Sequence, residues 1–150
     1  MAEPQNVSEF AERVLMSTTL QDKLTHAPVS LTLDPPKRGN FIAPSLPGRP
    51  HHLKPRPNDG KSPFPSADQI HDEEQRGILL HFFANHELLA VELMALALLK
   101  FPDAPDSFRK GILRTLQEEQ NHILWYLERM KDCGLKFGDY HLSPMIWSHI

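Results

Sequence analysis

The amino-acid sequence predicts an all-α protein whose centre is an antiparallel hairpin of two long helices, which is half of a four-helix bundle. Residues 78–99 are apolar on nearly every side of a helix, and this is typical of a central helix. A short turn with two prolines follows at residues 102–106, and an amphipathic stripe then runs to Asp132. Helices joined by so short a turn pack side by side, and this pair has more apolar surface than two helices can bury.

The first 33 residues are predicted to form a segment of their own. Apolar residues recur at helical spacing from Val7 to Leu15, so a short amphipathic helix is predicted over residues 7–26. Apolar and polar residues alternate over residues 29–33, which predicts a short strand or an extended arm.

Residues 34–65 are predicted to be an extended basic arm without regular structure. Nine of the chain's 14 prolines lie there, and proline removes a backbone donor and restricts the residue before it. Such a segment is expected to lie over the helical body. A strip that touches phosphate or RNA is the alternative, although few aromatic residues accompany the charges. The basic residues of the arm are Lys37, Arg38, Arg49, Lys54, Arg56 and Lys61.

The helix hairpin is assigned to residues 66–134. Ser66 begins a capping-box pattern, so the first helix is predicted to begin near it. The second helix is predicted to run from about Ala104 to Asp132, with Gly134 as the glycine that follows its end. Residues 135–150 are interrupted by glycine and proline and are predicted to be a loose apolar tail.

Composition excludes several classes of protein. A chain of 150 residues suits one domain, and 16 basic against 19 acidic residues give no overall field for nucleic acid or a membrane surface. The single cysteine, Cys133, fits the reducing cytoplasm. Residues 78–99 are long enough to span a membrane, but they contain Glu87 and Glu92, and a carboxylate at the centre of a span costs about 2.5–3.5 kcal/mol. We therefore expect a core helix and no membrane partner.

A Glu-x-x-His pair in the second helix is the centre of a candidate metal site. Glu119 and His122 are three residues apart and therefore share a helix face. Glu119 lies on the apolar stripe of its helix, where a carboxylate must be paired, protonated or metal-bound. Carboxylate and imidazole ligands together suit iron or manganese, and zinc is an alternative.

Helix register favours Glu87 over Glu92 as the third ligand. About the predicted turn, Glu87 is level with Gln120, whereas Glu92 is about 6 Å further along the helix axis. Glu87 also lies on the face that is expected to form the core. Glu92 is then expected to pair with His81, Asn85 or a basic residue, or to contact a metal ligand without binding the metal itself.

Three further residues are second-choice ligands: Glu92, His86 and Glu118. His86 is turned by about 100° from Glu87, so a histidine hydrogen-bonded in packing is the simpler interpretation. Glu118 is one helical turn from His122, where it either orients the imidazole or is exposed to solvent.

Three sequence blocks resemble a known family: Pro47-Gly48-Arg49-Pro50, Ala84-Asn85-His86-Glu87 and Glu118-Glu119-x-x-His122. Over about residues 41–147 the chain resembles bacterial ferritin-like proteins of an uncharacterised domain family. It is more distantly similar to the di-iron tRNA methylthio-isopentenyladenosine hydroxylase. The resemblance implies a ferritin-like fold and metal-ligand roles for Glu87, Glu119 and His122.

The resemblance also implies that this chain carries half of a dinuclear iron or manganese site. In the family a second helix pair follows, with its own Glu and Glu-x-x-His, and we expect it either from a symmetric partner chain, as a homodimer, or from sequence beyond Ile150. The expected function is oxidation that uses O2 or peroxide. The alternatives are a helical interaction module without metal and a tRNA-modifying hydroxylase-like protein that holds its substrate on the basic arm.

Overall fold

The computed structural model describes residues 2–33, 40–56 and 64–150. Within these ranges the α-helices are α1 Val7–Met16, α2 Leu20–Leu24, α3 Glu73–Lys100 and α4 Asp106–Asp132. Single-turn 3₁₀ helices lie at His51–Leu53, Ala67–Gln69 and Trp147–His149. The described residues contain no strand, and where a short strand or an extended arm is predicted over 29–33, the structure has one β-bridge between Asn6 and Thr32. The predicted all-α class is therefore confirmed.

The prediction of one helix over residues 7–26 is wrong, because the chain breaks between α1 and α2. Ser17 and Thr19 adopt extended backbone conformations there. Asn6 caps α1 by accepting from the Glu9 N–H, and the Thr19 hydroxyl caps α2 by accepting from the Asp22 N–H. Short polar side chains favour such caps over the helix interior, which explains two short helices in place of one.

The two long helices both begin later than predicted. The capping box at Ser66 is present, but it closes only the 3₁₀ turn, and Asp72 instead caps α3 through the Glu74 N–H. Helix α4 begins at Asp106, with Pro105 as its N-cap, rather than at about Ala104. The predicted role of Gly134 is confirmed: its φ of +76° allows the Leu135 N–H to bond back to the carbonyl of Met130.

Helices α3 and α4 pack against each other in opposite directions along their length. Near the turn, Arg109 Nη1 donates to the carbonyls of Leu98 and Phe101 at 2.8 Å each. At the other end, Gly77 lies against Leu135, just beyond the end of α4. This arrangement places the middle of α3 beside the middle of α4.

The most deeply buried face of α3 is the one that carries Glu92, not the one that carries Glu87. Asn85, Leu88 and Glu92 are buried on that face, whereas Phe83, on the Glu87 side, is 39% exposed. The prediction that Glu87 lies on the core face is confirmed only in part, because Ala84 and Val91 on its side are fully buried while the Glu87 side chain is 24% exposed. The Glu92 side is buried more deeply because the apolar side chains of α1, including the fully buried Phe10, pack on α3.

Glu92 forms a buried ionic cluster with two cations from other parts of the chain. Arg49 donates from Nε to Glu92 Oε2 at 2.8 Å and from Nη2 to Oε1 at 2.5 Å. Lys23 Nζ lies 3.1 Å from Oε2, and all three side chains are inaccessible to solvent. Of the partners expected for Glu92, the basic residue is the one observed.

Residues 40–56 are the described part of the Pro-rich segment, and their only regular structure is the 3₁₀ turn. Arg49 points into the core, so it does not belong to a solvent-facing basic strip. Lys54 is exposed, and Arg56 donates to the carbonyls of Gly138 and Tyr140 at 2.7 and 2.6 Å. The predictions for Lys37, Arg38 and Lys61 lie outside the described residues.

The prediction that residues 135–150 form a loose tail is wrong. Leu142 is fully buried and Trp147 is 5% exposed. The Arg56 N–H donates to the carbonyl of Leu142 at 2.9 Å, and Asn85 Nδ2 donates to the carbonyl of Ser143. The segment is thus packed against α3 and the Pro-rich segment, and it shields one face of α3.

Helix α3 has the length and the apolar composition of a membrane span. In its most apolar 18-residue window, 56% of the residues are nevertheless buried inside the protein. Such burial is typical of the central helix of a globular core.

Candidate metal centre

Three side chains with metal-ligating atoms converge between α3 and α4. They are Glu87 from α3 and Glu119 and His122 from α4, and one ligand atom of each lies within 4.8 Å of the other two. His122 Nδ1 lies 2.9 Å from Glu119 Oε2 and 4.0 Å from Glu87 Oε1. No other group of three or more such side chains with this spacing occurs in the described part of the chain.

Regular helix geometry positions these three groups. Glu119 and His122 are three residues apart on an uninterrupted helix, so both project from one face of α4. Glu87 lies near the middle of α3, and the antiparallel packing brings it level with that face. Sequence register placed Glu87 beside Gln120, which is adjacent to Glu119, and the structure agrees.

The two carboxyl groups lie close enough to shift each other's pKa. Burial, followed by a hydrogen bond to Glu119 and the charge of Glu119, raises the pKa of Glu87 to about 7, although His122 opposes the shift. The same hydrogen bond lowers the pKa of Glu119, with further help from His122. Of the two groups, Glu87 therefore keeps its proton to the higher pH, and Glu119 ionises first. A cation bound between them would take the place of this proton.

One side of the cluster is open to solvent. The side chains of His122, Glu87 and Glu119 are 40%, 24% and 19% exposed. Aromatic residues border the opening: the Trp125 ring lies 5.4 Å from His122 and is 66% exposed, and Tyr126 lies beside Phe83. Additional ligands or a partner could reach the cluster from this side.

The second-choice residues lie elsewhere. Glu92 is held by Lys23 and Arg49 in the core. His86 is exposed, with its ring 4.5 Å from that of Phe82. Glu118 is exposed near Arg114.

Sequence reasoning missed Lys23 and Arg49. Lys23 occurs in a stretch that reads as an ordinary amphipathic helix, and Arg49 belongs to a proline-rich segment. The available signals were the Pro47-Gly48-Arg49-Pro50 block and Glu92 itself, a carboxylate that needs a partner in an apolar helix. Neither signal identifies which of the chain's basic residues pairs with Glu92.

A buried histidine, His81, lies where residues 135–150 pack on α3. Its Nε2 accepts from the backbone N–H groups of Gly138 and Tyr140 at 3.0 and 3.4 Å. Burial lowers the pKa of His81 to about 4, which keeps the ring neutral. The nearby groups that modify this pKa are Asp139, which raises it, and Arg56 and His141, which lower it.

We expect the free energy of unfolding of the His81→Gln variant to fall less at acid pH than that of the parent. The folded-state pKa of about 4 lies below the ordinary value of 6.5, so the stabilisation is complete above pH 6.5 and is lost as the pH falls towards 4. The parent should lose about 3 kcal/mol of stability in this way. Glutamine is an acceptor that does not take up a proton, so the variant should not show this loss. The raised pKa of Glu87 acts in the opposite direction over a similar range, so the difference between parent and variant is the quantity to measure.

Urea unfolding at a series of pH values checks this prediction. The His86→Gln variant is the matched control, because His86 is an exposed histidine on the same helix. Parent and His81→Gln curves that stay parallel from neutral to acid pH would contradict the assignment of a neutral, accepting His81.

Comparison with known proteins gives one match. The family model described as "Protein of unknown function (DUF455)" matches residues 6–150. No curated protein and no solved structure matches the chain significantly. The prediction of an uncharacterised family is confirmed to this extent. Because the matched range covers nearly the whole chain, this protein belongs to the DUF455 family of proteins of unknown function.

Proposed function

We propose that this protein is a ferritin-like metalloprotein in which Glu87, Glu119 and His122 bind iron or manganese. The observation that carries the proposal is the convergence of these three side chains, from two helices, within 4.8 Å. Two carboxylates and one imidazole fit these metals. In ferritin-like carboxylate sites, a Glu on one helix faces a Glu-x-x-His on another, and α3 and α4 carry one of each.

The site is proposed to be half of a dinuclear centre. A second hairpin, from a symmetric partner chain or from further sequence, would supply the other Glu and Glu-x-x-His. The solvent-open side of the cluster supports this proposal, because large apolar side chains surround it. Phe83 and Trp125 are 39% and 66% exposed, and a second hairpin would cover them.

The proposed reaction class is a cytoplasmic oxidation that uses O2 or peroxide. Bound iron or manganese would supply the redox chemistry. The protein's own residues prepare the site: Glu87, whose pKa is raised to about 7, would give up its proton when a cation binds, and Glu119 orients the His122 ring. Burial and the negative charges of Glu87 and Glu119 raise the pKa of Tyr126, so its phenol stays protonated beside the site.

Metal analysis of purified protein tests the proposal. We expect the parent, loaded anaerobically with Fe²⁺ or Mn²⁺ and then desalted, to retain about one ion per chain, since two hairpins would share two ions. Glu119→Ala and His122→Ala each remove one ligand and should lose most of this metal, a fall of about tenfold or more in affinity.

Glu118→Ala is the matched control, because Glu118 is an exposed carboxylate next to Glu119 on the same helix. It should retain the parent's metal content. If the variants at Glu119 and His122 bind as much iron or manganese as the parent, the proposal is contradicted.

A non-enzymatic interaction module is the second candidate. The exposed Trp125 favours it, since its ring lies on the open side beside His122 whether or not metal binds. It predicts that partner binding survives chelator and that the parent retains no stoichiometric metal. The metal analysis above therefore separates the two candidates.

A further inference from the structure

A cavity of about 150 Å³ lies between α3 and residues 135–150, away from the candidate metal centre. Helix α3 contributes Ile78, His81, Phe82 and Asn85, which lie on one helix face. At 100° per residue, these positions are turned by about 120–180° from Glu87. The cavity is therefore on the opposite side of α3 from the metal-ligand cluster.

The size of the cavity suits one aromatic ring. A buried cavity of about 150 Å³ is large enough to take up benzene. Two phenylalanines form one wall: the Phe64 and Phe82 rings meet edge to face, with centroids 4.9 Å apart and planes at 75°. They are 59% and 37% exposed, so a ligand that entered here would cover aromatic surface that now faces solvent.

The polar lining of the cavity is held in place by the fold. Asn85 Oδ1 accepts from Arg49 Nη1 at 3.4 Å, and Asn85 Nδ2 donates one of its two N–H groups to the carbonyl of Ser143. Ser143 Oγ accepts from the Met145 N–H, which leaves the hydroxyl proton to donate. Both side chains therefore have donor capacity for a ligand that brings an acceptor.

The residues that line the cavity also disfavour a charged ligand. No Asp, Glu, Lys or Arg is among the described residues that line the cavity. His81 is held neutral, since protonation would oppose the two backbone N–H groups that its Nε2 accepts. Apart from the imidazole of His141, the described wall offers a carboxylate or an ammonium group no counter-charge, and burying such a group would be costly.

We propose that this cavity binds a small, uncharged aromatic molecule whose ring contacts Phe64 and Phe82 and whose single acceptor, such as a carboxamide oxygen, meets Asn85 or Ser143. This site does not depend on the proposed metal centre. Its ligand should bind equally well in the presence of a chelator.

Benzamide is the probe for this proposal, and isothermal titration with ligand-observed NMR is the measurement. We expect saturable binding to the full chain in EDTA, with a Kd of about 1 mM or tighter, as suits a ligand of this size. Benzoate, which has the same shape with a negative charge, should bind at least about tenfold more weakly.

Two neighbouring phenylalanines provide the matched variants. Phe82 lines the cavity and Phe83 faces the metal-ligand cluster, yet their exposures of 37% and 39% are almost equal. Phe82→Leu should weaken benzamide binding by about fivefold or more, whereas Phe83→Leu should change it by less than about twofold. Equal effects of the two variants, no saturable benzamide binding, or benzoate binding as tight as that of benzamide would overturn the proposal.

Discussion

The Glu92→Gln variant is expected to lose about 3–5 kcal/mol of its free energy of unfolding. Glutamine keeps the shape of the side chain but removes the only negative charge within bonding distance of Lys23 and Arg49 in the described chain. Two cations would then remain buried without a counter-charge, which costs far more than the loss of a surface ion pair. Urea unfolding followed by circular dichroism measures this loss.

The loss of stability in the Glu92→Gln variant should be smaller at alkaline pH. Burial already lowers the pKa of Lys23, and Glu92 is the group that opposes this shift. Without Glu92, Lys23 loses its proton more easily, so the variant regains stability as the pH rises towards the ordinary lysine value of 10.5. Glu118→Gln, an exposed carboxylate on α4, should change stability by less than about 0.5 kcal/mol. A Glu92→Gln protein as stable as this control would show that the cluster has no electrostatic role.

Gly48→Ala is the second substitution for which we expect a large effect. A Cβ atom at Gly48 would lie 1.9 Å from the carbonyl oxygen of Met16, so the backbone would have to move. That movement would strain the hydrogen bond from the Gly48 N–H to Leu15 and the one from Lys23 Nζ to the Gly48 carbonyl. We expect a loss of about 3 kcal/mol, the upper part of the usual range for overpacking.

The matched control for Gly48→Ala is Gly111→Ala, which should change stability in the opposite direction. Gly111 lies in the exposed part of α4, and a Cβ there would meet no atom within 4 Å. Gly111→Ala should therefore stabilise the protein by about 0.5–1 kcal/mol through helix propensity. Thermal unfolding of both variants is the measurement, and a neutral Gly48→Ala would mean that the Pro47-Gly48-Arg49-Pro50 block can move away from α1 without cost.

The helices and the juxtaposition of the candidate ligands could be predicted because short-range rules determine them. The spacing of Glu119 and His122 fixes a shared face, and a short turn fixes which residue of the preceding helix is level with them. These inferences do not require knowledge of any distant segment. The metal itself remains a proposal.

The core face of α3 could not be predicted because distant segments determine it. Arg49 reaches Glu92 across 43 positions of sequence, and His81 meets Gly138 across 57. A helix that is apolar on every side gives no preferred face, so the choice depends on where α1 and residues 135–150 pack. The full burial of Glu92 and the partial exposure of Glu87 follow from that packing.

The buried ionic cluster also determines which part of the chain can fold alone. Its three members come from α2, the Pro-rich segment and α3. A fragment limited to the two long helices would expose Glu92 to solvent in place of its cations and would uncover the apolar face on which α1 packs. We therefore expect the helix pair not to fold on its own. Expression of the candidate metal centre should require α1, α2 and Arg49 as well, although none of these belongs to the cluster of Glu87, Glu119 and His122.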